Sequence, residues 1–161
     1  MAVREKKHRL PKEFYKGEIS AVFTLCLMGK ARFFIEPEVV RVFTDILASV
    51  VTKMGCIIPV YCFMPDHQHL IIKGMGSDSD IREAMVRYKQ KTGFWMSLNK
   101  SEVRWQKDFY DHVLEKYRDI VLQVKYVLDN PVRKGLAPFW QEYPFKGSIG
   151  CKLEDFLIGI V

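Results

Sequence analysis

The apolar positions fall into short dense runs and helically spaced stripes. Residues 19 to 28, ISAVFTLCLM, are rich in β-branched, aromatic and other apolar types and predict a buried strand. Pro37, with Glu36 and Glu38 beside it, has the composition of a helix start. Val39, Val40, Phe43, Ile46, Leu47 and Val50 then recur at helical spacing, so residues 38 to 54 read as an amphipathic helix ended by Gly55. Residues 56 to 63, CIIPVYCF, are a second strand. Pro59 has no N–H for a ladder, which puts this strand at a sheet edge or gives it a bulge. After a tight Met64-Pro65-Asp66 connection, residues 67 to 73 form a third strand. Asp78 or Asp80 can cap the next helix, with Ile81, Met85, Tyr88 and Trp95 apolar and Gly93 its weak point, running to about Leu98. A fourth strand is expected within residues 107 to 114, and a last helix over about 118 to 129, where Pro131 should stop it.

The order strand, helix, strand, strand, helix, strand is that of a ferredoxin-like (split βαβ) α+β fold. It predicts an antiparallel sheet with helices on one face, central first and third strands, and one additional C-terminal helix. Residues 1 to 17 form a basic arm, and 18 to 161 a single domain. Beyond Pro131 the pattern weakens, and the apolar end DFLIGIV either packs back or marks a dimer surface.

Composition changes this picture little. Apolar residues make up 48% of the 161 positions, the balance of a globular chain. A net charge of +6 favours polyanionic partners. Cys26, Cys56, Cys62 and Cys151 form no CxxC pair, and no segment is long and apolar enough to span a membrane. A cytoplasmic protein, nucleoid-associated when bound to DNA, is the expectation.

The chemistry concentrates in two places. His67 and His69 are two apart on a strand, so both imidazoles leave the same face and can share one divalent ion. Tyr126 and Asn130 are four apart on a helix, with Gln123 one turn earlier on nearly the same side. A phenol can attack phosphorus, and an amide oxygen can fill a metal position. Each residue also has a plain structural use: paired histidines are often incidental, and Asn is common at helix ends.

MPDHQHLII at 64 to 72 resembles the histidine-pair motif of the IS200-like, single-tyrosine (HUH-type) transposases. YVLDNPVRKGL at 126 to 136 resembles the end of the catalytic helix in their relatives associated with repetitive extragenic palindromes (REP). Tyr88-Lys89 and RWQKDFYDHVL at 104 to 114 follow in the family's order, so the likeness runs from about Glu18 to Ser148. The resemblance implies a DNA endonuclease and strand transferase that forms a 5′-phosphotyrosine at single-stranded DNA beside a hairpin. It makes His67, His69 and Asn130 the ligands of Mg²⁺ or Mn²⁺ and Tyr126 the nucleophile, with Tyr110 and Tyr117 as fallbacks. Gln68 departs from the hydrophobic residue usual between the histidines; its side chain faces away from them, toward a core or helix contact. Arg4, Lys7, Arg9, Lys89, Arg133 and Lys134 are candidates for phosphate contacts, and Trp105 and Phe109 either stack on bases or belong to the core. Both a monomer and a homodimer are compatible with the family pattern. A catalytically silent or domesticated DNA-binding protein of the same fold is the alternative, followed by a metal-dependent hydrolase that uses water.

Overall fold

The computed structural model describes residues 10–158, so Arg4, Lys7 and Arg9 of the basic arm lie outside the described residues. Among the described residues there are five strands and three α-helices: β1 Ser20–Cys26, α1 Pro37–Lys53, β2 Cys56–Met64, β3 His67–Gly74, α2 Ile81–Asn99, β4 Tyr110–Leu114, α3 Tyr117–Arg133 and β5 Lys146–Ile149. The sheet order is β4-β1-β3-β2-β5, and every pairing is antiparallel. The first six elements therefore make the split βαβ arrangement, with β1 and β3 central as expected. No helix among the described residues is long and apolar enough to cross a membrane.

The sheet separates two apolar clusters because strand side chains alternate faces. Ala21, Phe23 and Leu25 of β1, with Leu70 and Ile72 of β3, meet Phe43 and Leu47 of α1 and Met85 and Tyr88 of α2. Phe43 makes edge contacts with Phe34, Phe63, Tyr88 and Trp95 there. On the other face Val60, Cys62, Met64 and Ile71 pack under Ile120, Val124, Val127 and Leu128 of α3. Helix α3 is thus laid across the face that carries the odd-numbered residues of β3. Leu153 and Phe156 join this second cluster, so the C-terminal segment packs back over the described residues.

Two expectations are corrected. Strand β2 is not an edge, because β5 pairs along its outer side through Ile58↔Ile149, Tyr61↔Gly147 and Cys62↔Lys146. Pro59 is accommodated by the bulge instead: both ladders shift register around it, between Ile57 and Val60 toward β3 and between Ile58 and Tyr61 toward β5. Gly147 lets β5 approach, since a Cβ there would meet the Tyr61 hydroxyl at 2.8 Å. Pro131 does not end α3 either, which continues to Arg133. Its ring removes one N–H near the end of a helix whose buried stripe holds it to the sheet. Packing outweighs the lost bond.

Asp80 caps α2, its carboxylate accepting from the Glu83 N–H at 2.9 Å. Gln68 is fully buried between β1 and β2 and accepts the Tyr88 hydroxyl at 2.6 Å. Further along α2, Trp105 Nε1 donates to Thr92 Oγ1 at 2.8 Å, so Trp105 is core, as is Phe109. Cys56, Cys62 and Cys151 are free thiols, and burial pushes Cys62 up to about 12.

The Gln68–Tyr88 pair makes the first prediction. Tyr88→Phe leaves a buried carboxamide without its partner and should cost about 1–3 kcal/mol of stability in urea unfolding. Adding Gln68→Leu to that variant should recover most of the loss, because both polar partners are then gone. An equal loss in the double variant would show that the bond contributes nothing.

Candidate metal and nucleic-acid site

His67 opens β3 and His69 follows on the same face, beyond the end of the α3 cluster. Their rings stand edge to face with centroids 4.6 Å apart, and the two Nε2 atoms are 3.0 Å apart. The opposite nitrogens are held from outside. His67 Nδ1 lies 2.6 Å from the Asp66 carboxylate, and His69 Nδ1 lies 2.9 Å from the Thr24 hydroxyl. Thr24 is there because the β1–β3 register sets it directly opposite His69.

A carboxylate only accepts, so His67 Nδ1 donates to Asp66, and in the neutral imidazole this leaves a bare Nε2 lone pair. The Thr24 hydroxyl can donate or accept. His69 can therefore hold its proton on Nε2, toward His67, or on Nδ1, toward Thr24. In the second tautomer two lone pairs converge on one point, which is unfavourable unless a cation lies between them. Burial chiefly, with the charges of His67 and Arg133, pushes His69 down to about 4, so it is neutral at physiological pH. Ligands about 2.1 Å from one ion and at right angles to each other stand about 3.0 Å apart, so the pair fits two adjacent corners of an octahedron.

The pair opens into a cleft of about 530 Å³. Thr24 and Cys26 form one wall, Met64, Pro65 and Asp66 another, and Lys30, Arg32, Gln106, Lys134 and Leu136 complete it. The segment after β1 is fixed there by the β2–β3 turn: Pro65 O accepts the N–H groups of Phe33 and Phe34, and Asp66 O accepts that of Leu27. Three cations consequently border the two histidines. Lys134 was legible from sequence; Lys30 and Arg32 were not, because only the turn contacts bring them to this place. Lys30 adopts a positive φ of 52° next to Gly29 at 67°.

The helix residues are arranged along one side of α3. Tyr126 is 57% exposed, whereas Asn130 is buried. Neither lines the cleft; Lys134 and Leu136, just beyond the helix end, do. Arg133 connects the two residues: its guanidinium lies 4.1 Å from the Tyr126 ring centre and donates to Tyr126 O at 3.1 Å and Asn130 Oδ1 at 3.5 Å. Its charge also bears on His69. Tyr110 is exposed on β4, and the Tyr117 hydroxyl donates to Asp155 O on the far side of α3. Lys89 does not line the cleft; its ammonium donates to the carbonyls of Gln106, Lys107 and Asp108 and fixes the loop before β4, of which Gln106 does line it. Among the described residues no group of three or more His, Cys, Asp or Glu side chains could hold a metal.

Residues 18–128 match the family described as "Transposase IS200 like". A curated Haemophilus influenzae protein, provisionally named a REP-associated tyrosine transposase, is 23% identical over 95 residues. That alignment takes in 52% of this chain and 54% of the relative, so the chain spans about half the length of the curated relative it matches. Among solved structures, a REP-associated tyrosine transposase bound to a REP hairpin superposes with a TM-score of 0.72 at 21% identity, covering 86% of this chain and 81% of the other. A crystal structure from Deinococcus radiodurans R1, provisionally named a transposase, gives 0.52 at 15% identity over 76% of this chain and 97% of that one. The likeness to both structures is one of fold, and the family match covers most of the sequence. The chain belongs to the IS200-like transposase family.

Proposed function

We propose that this protein is a divalent-metal-dependent endonuclease and strand transferase acting on single-stranded DNA beside a hairpin, with Tyr126 as nucleophile. The observation that carries this reading is the convergence of His67 and His69 Nε2 at 3.0 Å inside a cleft bordered by Lys30, Arg32 and Lys134. Such a site suits an anionic substrate, and the hairpin is the ligand of the structural relative. His67, His69 and Asn130 would hold the ion, two imidazoles and an amide that leave its full charge available, a set better suited to Mn²⁺ than to Mg²⁺. When bound, the ion supplies Lewis-acid polarisation of a phosphate oxygen.

The protein's own groups carry the remaining steps. Lys30, Arg32 and Lys134 hold the backbone phosphates at the cleft. Asp66 and Thr24 keep both imidazoles aimed inward. Tyr126 Oη attacks the phosphorus; the new O–P bond forms as the bond to the 3′ oxygen breaks. The phenol's proton passes to solvent, and the departing oxygen takes one to leave a free 3′-hydroxyl. The 5′-phosphotyrosine keeps the phosphodiester's energy, so a second 3′-hydroxyl can reverse the step and release the phenol.

Asp66→Ala and Thr24→Val should each weaken Mn²⁺ binding by about 10–100-fold in titration calorimetry, because each frees one imidazole to turn. Asp66→Asn keeps an acceptor oxygen and should lose less. Wild-type affinity in both Asp66→Ala and Thr24→Val would remove the pair's outer partners from the account. For the nucleophile, labelled single-stranded hairpins with a 5′ flank, incubated with Mn²⁺, should give a denaturation-resistant protein–DNA adduct. That adduct should vanish in Tyr126→Phe and persist in Tyr110→Phe and Tyr117→Phe. Cleavage without any adduct would instead identify a water-using nuclease.

A further inference from the structure

Tyr126 is an exposed residue on a helix, and an exposed tyrosine ring exchanges among staggered rotamers. Here something fixes it. Arg133 lies seven residues further along α3, two turns away on the same flank, and helical side chains lean toward the N-terminus. Its guanidinium therefore falls back over the Tyr126 ring, 4.1 Å from the ring centre. The same group is anchored twice, to Tyr126 O at 3.1 Å and to Asn130 Oδ1 at 3.5 Å. The planar fork of an arginine can satisfy two oxygens and stack at once; a lysine cannot.

On the reading proposed above, we infer that Arg133 is the positioning residue of the nucleophile: it holds the Tyr126 ring and the Asn130 amide as one unit along the C-terminal half of α3. The stack biases the ring toward one rotamer several-fold before DNA arrives, which lowers the entropy cost of reaching the transition state. The bond to Asn130 ties the amide's orientation to the ring's, so an ordered tyrosine and an ordered third ligand come as one arrangement.

The test has two arms. In the first, the protein is labelled with 3-fluorotyrosine, and the Tyr126 signal among its seven tyrosines is assigned by its absence in Tyr126→Phe. Without metal or DNA, that ¹⁹F signal should differ from a free exposed tyrosine in the wild type and move to the free position in Arg133→Ala. An unmoved signal would overturn the inference, and this arm decides it whether or not any oligonucleotide is cut. In the second, single-turnover adduct formation in Arg133→Ala should slow several-fold with little change in the half-saturating DNA concentration. Arg133→Lys should recover little of the rate, because charge without the planar fork does not order the ring. A defect confined to DNA affinity and restored by lysine would make Arg133 a phosphate contact only. An adduct that survives Tyr126→Phe would sink the nucleophile assignment itself, and the fluorine arm would still report on the stack.

Discussion

Strand β3 has to satisfy opposite demands on its two faces. At its start, one face carries two imidazoles toward a cleft and the other buries the Gln68 carboxamide against Tyr88. Strand periodicity alone separates them, so a slip of one residue would bury the histidines and expose the glutamine. Central placement prevents the slip. β1 and β2 pair along both edges of β3, and the β1 register that fixes it also delivers Thr24 to His69. The geometry of the site is therefore a property of the sheet, and the imidazoles need no rearrangement to converge.

The opposite end of the chain is organised by α3. Its apolar stripe must cover the face of the sheet that the first two helices leave open, and this fixes the helix's rotation about its axis. With that rotation set, Asn130 turns inward, Tyr126 stays at the flank, and the residues beyond Arg133 reach the cleft. Histidines and tyrosine come from elements far apart in sequence, and Arg133 connects them: its charge bears on His69 and its guanidinium stacks on the Tyr126 ring, while Tyr126 itself stays outside the cleft lining. Loops add the cations: Lys30 and Arg32 arrive only because Phe33, Phe34 and Leu27 donate to the β2–β3 turn.

What could be read from the sequence follows this division. Strands β1 to β4 and all three helices show in the periodicity, because each buries a face and must repeat at 2 or 3.6 residues. His67 with His69, and Tyr126 with Asn130, show for the same reason. Strand β5 does not, since KGSI is only half-buried and its glycine serves the crossing of Tyr61. Without β5, Pro59 left an edge and a bulge both open; with it, the bulge accounts for the missing donor. Pro131 misled, because a local rule about one N–H was outweighed by the packing of a whole helix. The Thr24 contact and the arginine stack over Tyr126 were hidden for a different reason: both are pairwise geometries, set by register and side-chain lean rather than composition.

The central claim is that His67 and His69 form two corners of one divalent-metal site that Asn130 completes. Crystals soaked in Mn²⁺, with data collected for anomalous scattering, test it directly. A single anomalous peak should lie about 2.1 Å from both Nε2 atoms, with the Asn130 amide oxygen as a third ligand while it still accepts from Arg133. A peak elsewhere, or none at the histidine pair, would contradict the account.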